Sequence, residues 1–216
     1  MKIRSYGCSF ILGTDLADPT QTWPAVAAQH LGWDHHPNGK GGGGNTLILD
    51  RFLFDLHLDE PDIFYVFQWT WIDRFDYKCD IQNHGKHDWE TIRPTQDNAH
   101  AQNYYRHYHS EFRDKFITLT CMNTAIAELE RRHLPFIMTC LDDLVMDQTW
   151  HCTPGVSIMQ DSVRPYLRDF EGKNFLAWSQ HHGFPISQDL HPLDQAHAAA
   201  AKVILPEIID TIQHKV

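Results

Sequence analysis

Nowhere in this 216-residue chain is there a run of about 18 uninterrupted apolar residues, so the sequence holds no transmembrane helix. The opening stretch carries two basic residues but neither an apolar core nor a small-residue cleavage site. It reads as a first β-strand, and a cytoplasmic location is expected. Basic residues are scarce: 18 Lys and Arg stand against 28 Asp and Glu, a formal net charge of −10. A field of that sign repels phosphate backbones and no Lys/Arg cluster opposes it, so nucleic acid is not an expected partner, nor is a membrane. The cysteines are few and scattered (Cys8, Cys79, Cys121, Cys140 and Cys152), with no CxxC pair. This excludes a zinc ribbon and a disulfide framework and leaves reduced thiols as the simplest account.

Hydrophobic residues reach 42% and charged residues 21%, which suits a globular chain rather than a disordered or fibrous one. The length suits one domain, residues 1–216, able to bury roughly 70% of its unfolded surface. Histidine is abundant: 16 residues, crowded between His84 and His109 and between His181 and His197. Of the closest pairs, His84 with His87 and His107 with His109, neither has a carboxylate or cysteine partner at metal-ligand spacing, so no metal and no cofactor is assigned.

Strand-like runs at Lys2–Cys8, Asp62–Trp69 and Pro135–Leu141 alternate with helical periodicity. Helices are predicted over Trp23–Leu31, about Leu47–Leu56, Tyr104–Arg132, Phe175–His181 and Asp194–Ile212, and a last short strand over Phe184–Ile186. Asn38–Asn45, with four consecutive glycines, is the clearest loop signal. This alternation predicts an α/β fold with a parallel sheet, whose ligands sit beyond the carboxyl ends of the strands. Residues from about 72 to 103 are polar, aromatic and His-rich without clear period. They read as an insertion expected to wall the cleft, to be ordered, and to place an aromatic residue in its lining; a subunit contact in a homo-oligomer is the competing role.

Three pieces carry chemistry. Ser9 follows the first strand, the glycine loop precedes Asn45, and Asp189-Leu190-His191-Pro192 precedes the last helix. A serine hydroxyl needs a histidine to take its proton, and the histidine needs a carboxylate to fix its tautomer. An oxyanion needs preorganised N–H donors, which glycine backbone supplies. Cys8 reads as a buried, inert thiol beside this serine, and the loop lacks both GxxxxGK[ST] and a GxGxxG set between strand and helix.

Taken in this order, the blocks resemble the SGNH hydrolases, the GDSL-type esterase superfamily. Gly7-Cys8-Ser9-Phe10 stands where the family has Gly-Asp-Ser, as in divergent members from phage and bacterial genomes. The resemblance implies a flavodoxin-like three-layer α/β/α sandwich, with Ser9 as nucleophile, His191 as general base, Asp189 as its orienter and Gly43 as an oxyanion glycine. The chain departs from the family twice. The strand end Phe67-Gln68-Trp69-Thr70-Trp71 lacks the oxyanion-donating Asn of the third block, leaving Thr70, Gln68 or Asn45 for that role. Asp189 also lies two residues before His191 instead of three, where Gln188 stands.

Arg74 reads either as an anchor for an anionic substrate group or as half of a surface salt bridge. Trp69, Trp71, Phe75 and Tyr77 divide between pocket and core. Asp142 and Asp143 read as turn or cap residues, and His197 as a helix-surface or packing residue. The expected function is hydrolysis of a carboxylic ester, an acetyl ester among them, of a small molecule or sugar through an acyl-serine. The alternatives are a non-catalytic ligand-binding protein on the same scaffold and a metal-dependent hydrolase using the clustered histidines.

Overall fold

Residues Ile63–Trp69 form strand β3, in which all seven side chains are buried. Such a run has no solvent face to alternate toward, so it belongs in the middle of a sheet covered on both sides. The computed structural model, which describes residues 1–58, 60–78 and 89–214, places it there. β1 (Lys2–Gly7), β2 (Asp34–Gly39), β3 and β6 (Phe136–Cys140) pair in parallel in the order β2-β1-β3-β6. β2 is polar and contains Pro37. As an edge strand with one neighbour it tolerates both features, which is why the sequence pattern reads it as loop.

Alternate strand residues face opposite layers. Tyr6, Tyr65, Phe67, Trp69 and Met138 pack against α3 (Asn45–His57), α5 (Glu111–Arg131) and α6 (Pro154–Val163). Ile3, Phe64, Val66 and Ile137 pack against α2 (Trp23–Leu31), α7 (Phe175–His181) and α8 (Asp194–His214). The result is the expected three-layer α/β/α arrangement.

The helix expected over Tyr104–Arg132 is two helices. α4 (Ala99–His107) ends before Tyr108, and Ser110 starts α5 by accepting the Arg113 N–H at 3.3 Å. α6 escaped the periodicity reading, although its signals are local: Thr153 accepts the Val156 N–H and Pro154 opens the first turn. No strand forms over Phe184–Ile186, where a single bridge joins Ile186 to Pro192.

Within the expected insertion, β4 (Phe75–Lys78) and β5 (Trp89–Ile92) form a separate antiparallel pair. His84, His87 and Cys79 lie outside the described residues. The pair is fastened to the glycine loop through buried Asp76, whose carboxylate accepts the Gly44 N–H at 3.0 Å, the Leu47 N–H at 2.9 Å and the Thr91 hydroxyl at 2.6 Å. It thus serves as a remote N-cap for α3, and burial raises its pKa. A Cβ on Gly44 would fall 2.6 Å from Asp76 Oδ2, so only glycine fits there. Removing the carboxylate leaves two helix N–H groups buried without acceptors, and Asp76→Ala should lower unfolding free energy by about 2 kcal/mol in urea titrations.

Candidate active site

In the sheet order, β2 lies on one side of β1 and β3 on the other, so the chain reverses direction of travel across the sheet at β1. A crevice opens beyond the carboxyl ends of strands at such a point. β1 ends at Gly7, and Ser9 is the first residue of the one-turn helix α1 (Ser9–Leu12) that follows.

Ser9 Oγ lies 2.9 Å from His191 Nε2, and His191 Nδ1 lies 2.6 Å from Oδ2 of Asp15. The assignment that satisfies both contacts has the serine hydroxyl donating to Nε2 and Nδ1–H donating to the carboxylate. Asp189, expected to orient the imidazole, does not do so. It sits in a tight turn in which the Ser187 N–H donates to the His191 carbonyl at 2.8 Å and the Leu190 N–H to the Ser187 carbonyl at 3.1 Å. Leu190 adopts left-handed φ of 63° in that turn, and Asp189 stays exposed. A carboxylate two residues before the histidine cannot fold back onto Nδ1 across such a turn.

Asp15 reaches Nδ1 from the loop after α1. Its own φ is 67°, a conformation that Asp adopts more readily than most residues because its short polar side chain bonds locally. Ser187 Oγ also donates to Asp15 Oδ2 at 2.7 Å and accepts the His191 N–H at 3.1 Å, tying the two loops together. Hydrogen bonds from His191 first, then Ser187, hold the Asp15 carboxyl below the usual carboxylate range. Phe10 meets the imidazole edge-on with centroids 5.5 Å apart, fixing the ring's plane. The only signal for Asp15 in the sequence is an acidic residue soon after the first block, in Gly13-Thr14-Asp15.

The other candidates divide. Asn45 does not face the reacting hydroxyl: its amide N donates to the Thr70 carbonyl at 3.2 Å and to Thr118 Oγ1 at 3.0 Å, and its oxygen accepts the Thr70 N–H at 2.8 Å. It joins α3 to the end of β3. Thr70 and Gln68 are fully buried. Gly43 is buried and its N–H donates to the Lys40 carbonyl at 3.0 Å, which removes it as an oxyanion donor. Ser9, Gly41 and Gly42 line the cleft instead, and among the described residues their N–H groups have no hydrogen-bond partner. Arg74 lies over the Trp71 ring at 4.6 Å and donates to the Gly43 carbonyl at 2.8 Å, and no salt bridge to it is found among the described residues.

The cleft around Ser9 and His191 encloses about 790 Å³. The segment after β3 flanks it with Asp73, Arg74, Arg93, Pro94 and Thr95. Of the aromatics expected to line it, Trp71 does so, beside Phe10; among the described residues of 72–103 no Phe, Trp or Tyr joins them. Phe75 instead stacks on Tyr104 at 4.3 Å, and Trp89 Nε1 donates to Asp50 at 2.6 Å. Asp142 is a cap, accepting the Ile72 and Leu144 N–H groups at 3.1 Å each. Cys8 is buried beside Ser9. Among the described residues, no three His, Cys, Asp or Glu side chains are grouped to hold a metal ion, and no helix is long and apolar enough to cross a membrane.

A hydroxyl, an imidazole and a carboxylate thus stand in line at the switch point of a three-layer sandwich, the arrangement that activation of a serine hydroxyl requires. No family model matches the sequence, and neither does any curated protein. Solved structures do match its fold. A member of the lipolytic G-D-S-L family from Veillonella parvula DSM 2008 is similar at TM-score 0.55 and 12% identity, over 95% of this chain and 97% of that one. The psychrotrophic esterase EstA from Pseudoalteromonas sp. is similar at 0.55 and 11%, over 99% and 97%. A two-domain esterase active on acetylated mannans is similar at 0.56 and 13%, over 98% of this chain and 49% of that one. The chain has the SGNH hydrolase fold.

His197, one turn and a half beyond His191, packs behind the site. It is buried, its Nδ1 accepts the Trp23 N–H at 2.9 Å, and its ring meets Phe175 edge-on at 4.9 Å. Burial pushes its pKa down to about 4, and does the same to His35. An unfolded imidazole titrates near 6.5, so between about 6.5 and 4 the unfolded chain binds protons that the folded one excludes. Stability is therefore fully present above that window and lost through it as pH falls. Thermal unfolding should show Tm declining across pH 6.5 to 4, and His197→Gln, neutral throughout, should start from a lower Tm but decline less steeply.

Proposed function

We propose that the protein is a serine hydrolase that cleaves a carboxylic ester, of a small molecule or sugar, through an acyl intermediate on Ser9. The observation that carries this reading is the continuous contact Asp15–His191–Ser9 on the wall of an open cleft. His191 Nε2 accepts the hydroxyl proton as Oγ bonds to the carbonyl carbon, while Asp15 stabilises the imidazolium and holds its tautomer. The carbonyl oxygen becomes an oxyanion, for which the unpartnered N–H groups of Ser9, Gly41 and Gly42 are the available donors. Collapse breaks the bond to the alcohol oxygen, which takes the proton from His191. Water then repeats the sequence on the acyl-serine, releasing the acid. That EstA is an esterase, and that the two-domain neighbour acts on acetylated mannans, is in keeping with this chemistry.

A fluorophosphonate probe should label the wild type at Ser9, read by mass spectrometry, and should leave Ser9→Ala unlabelled. Loss of the tautomer-fixing carboxylate in Asp15→Asn should slow labelling by about 10²–10⁴-fold, as at other triads. Asp189→Asn should stay within a few-fold of wild type. Equal labelling of wild type and Ser9→Ala, or a larger loss at Asp189 than at Asp15, would overturn the assignment. A wild type that does not label at all leaves a ligand-binding protein on this scaffold.

A further inference from the structure

Six of the chain's ten arginines, Arg4, Arg113, Arg131, Arg132, Arg164 and Arg168, each pair with a carboxylate. Arg74 and Arg93 are half-buried and form no salt bridge among the described residues, although the protein carries 28 acidic residues. Both belong to the segment after β3, and both line the cleft that contains Ser9 and His191.

Each is braced against the glycine loop. Arg74 is held by the Gly43 carbonyl and by the Trp71 ring, contacts that orient the guanidinium and leave most of its five N–H donors available. Arg93 lies against Gly42, where an added Cβ would fall 2.9 Å from its Nη1 and 3.2 Å from its Cζ. Gly42 has φ of 72°, so the backbone there both requires glycine and admits the guanidinium's close approach. The Arg93 side chain has no hydrogen-bond or ionic partner among the described residues. Asp73 and Asp189 also line the cleft, and the charge of Arg74 acts on the Asp73 carboxyl, yet among the described residues neither carboxylate forms a salt bridge with either arginine.

Arg74 and Arg93 meet adjacent glycines of one loop on the wall of one cleft, and a guanidinium fork not engaged in a salt bridge matches the oxygens of a carboxylate, sulfate or phosphate. We propose that Arg74 and Arg93 form an anion subsite, and that the ester cleaved at Ser9 carries a second, anionic oxygen group bound between them. The proposal rests on the hydrolase reading, but the subsite can be tested without turnover.

The probes are amides, which occupy an ester's place without being cleaved. Glutaric acid mono-4-nitroanilide carries the charge on the acyl side, with pentanoic acid 4-nitroanilide as its neutral counterpart. Sodium 3-acetamidobenzoate carries it on the other side, with acetanilide as counterpart. Calorimetric titration of full-length Ser9→Ala should show at least one anionic probe binding about 10-fold or more tightly than its counterpart, by an amount that shrinks with added salt. Arg93→Gln, which removes no hydrogen bond from the fold, should abolish most of the preference. Arg74→Gln should reduce it, and Arg93→Lys should retain part of it. The proposal is overturned if neither anionic probe outbinds its counterpart, including the case where none binds, or if the preference survives in Arg93→Gln. Fluorophosphonate labelling of the same arginine variants separates the two readings: a subsite that fails while Ser9 still labels removes the anionic substrate and leaves the hydrolase.

Discussion

The contact on which the site depends joins two loops separated by 176 residues: Asp15, just after the first helical turn, and His191, just before the last helix. Neither loop is shaped by a regular element. Asp15 and Leu190 both sit at positive φ, a conformation costing about 1 kcal/mol or more for such residues; Asp15 is held from the other loop by Ser187 and His191, and Leu190 by the Ser187 carbonyl within its own turn. Ser187 supplies the cross-tie, donating to Asp15 and receiving the His191 N–H. Closing a loop of that length is entropically costly, and the cost is met elsewhere. α2 and α8 pack on the same face of the sheet, and His197 accepts a hydrogen bond from the first residue of α2. The hydrophobic layer thus brings the loops together, and the carboxylate–imidazole contact sets their final register.

A second constraint acts across the cleft. Four consecutive glycines would leave a loop with wide conformational freedom, yet here nearly every one is specified by a neighbour. Gly42 faces Arg93, Gly43 is engaged through Lys40 and Arg74, and Gly44 is closed in by Asp76. Three of those four neighbours belong to the segment after β3. That segment is therefore not only a wall: it fixes the glycine-loop backbone on which the proposed mechanism draws for oxyanion donors, which joins its packing to the chemistry proposed at Ser9.

Much of this was legible in the sequence, for reasons that separate by element. β3 and β6 are apolar runs and read as buried strands, and α2 and α7 have clean periodicity and clear boundaries. Ser9 and His191 stood out because short blocks at fixed ends of the chain carry them. Edge strand β2 was not legible, since an edge needs no hydrophobic pattern, and α6 was missed because its signal lies in its cap. Asp189 is the orienter that the family resemblance implies, and beyond its place soon after the first block nothing in the sequence pattern points to Asp15 instead. Backbone turns decide which carboxylate meets an imidazole, and the left-handed residue at 190 that turns Asp189 away is a leucine, which gives no hint of it.

The end of β3 lacks the side-chain amide that the SGNH resemblance leads one to expect beside the serine. Gln68 has both amide atoms buried without a hydrogen-bond partner, and Thr70 Oγ1 and Trp69 Nε1 are in the same condition. Buried polar atoms left unpaired cost about 1–3 kcal/mol each, so this cluster is a local liability rather than a source of stability. It is held because Asn45 locks the Thr70 backbone from both sides, with its oxygen on the N–H and its nitrogen on the carbonyl. The amide nearest the site thus shapes main chain instead of contacting substrate. In the proposed mechanism, transition-state stabilisation falls to backbone N–H groups, whose positions depend on the glycine loop and its arginine and aspartate braces. A site organised in this way is sensitive to substitutions in the segment after β3 even where that segment touches no reacting atom.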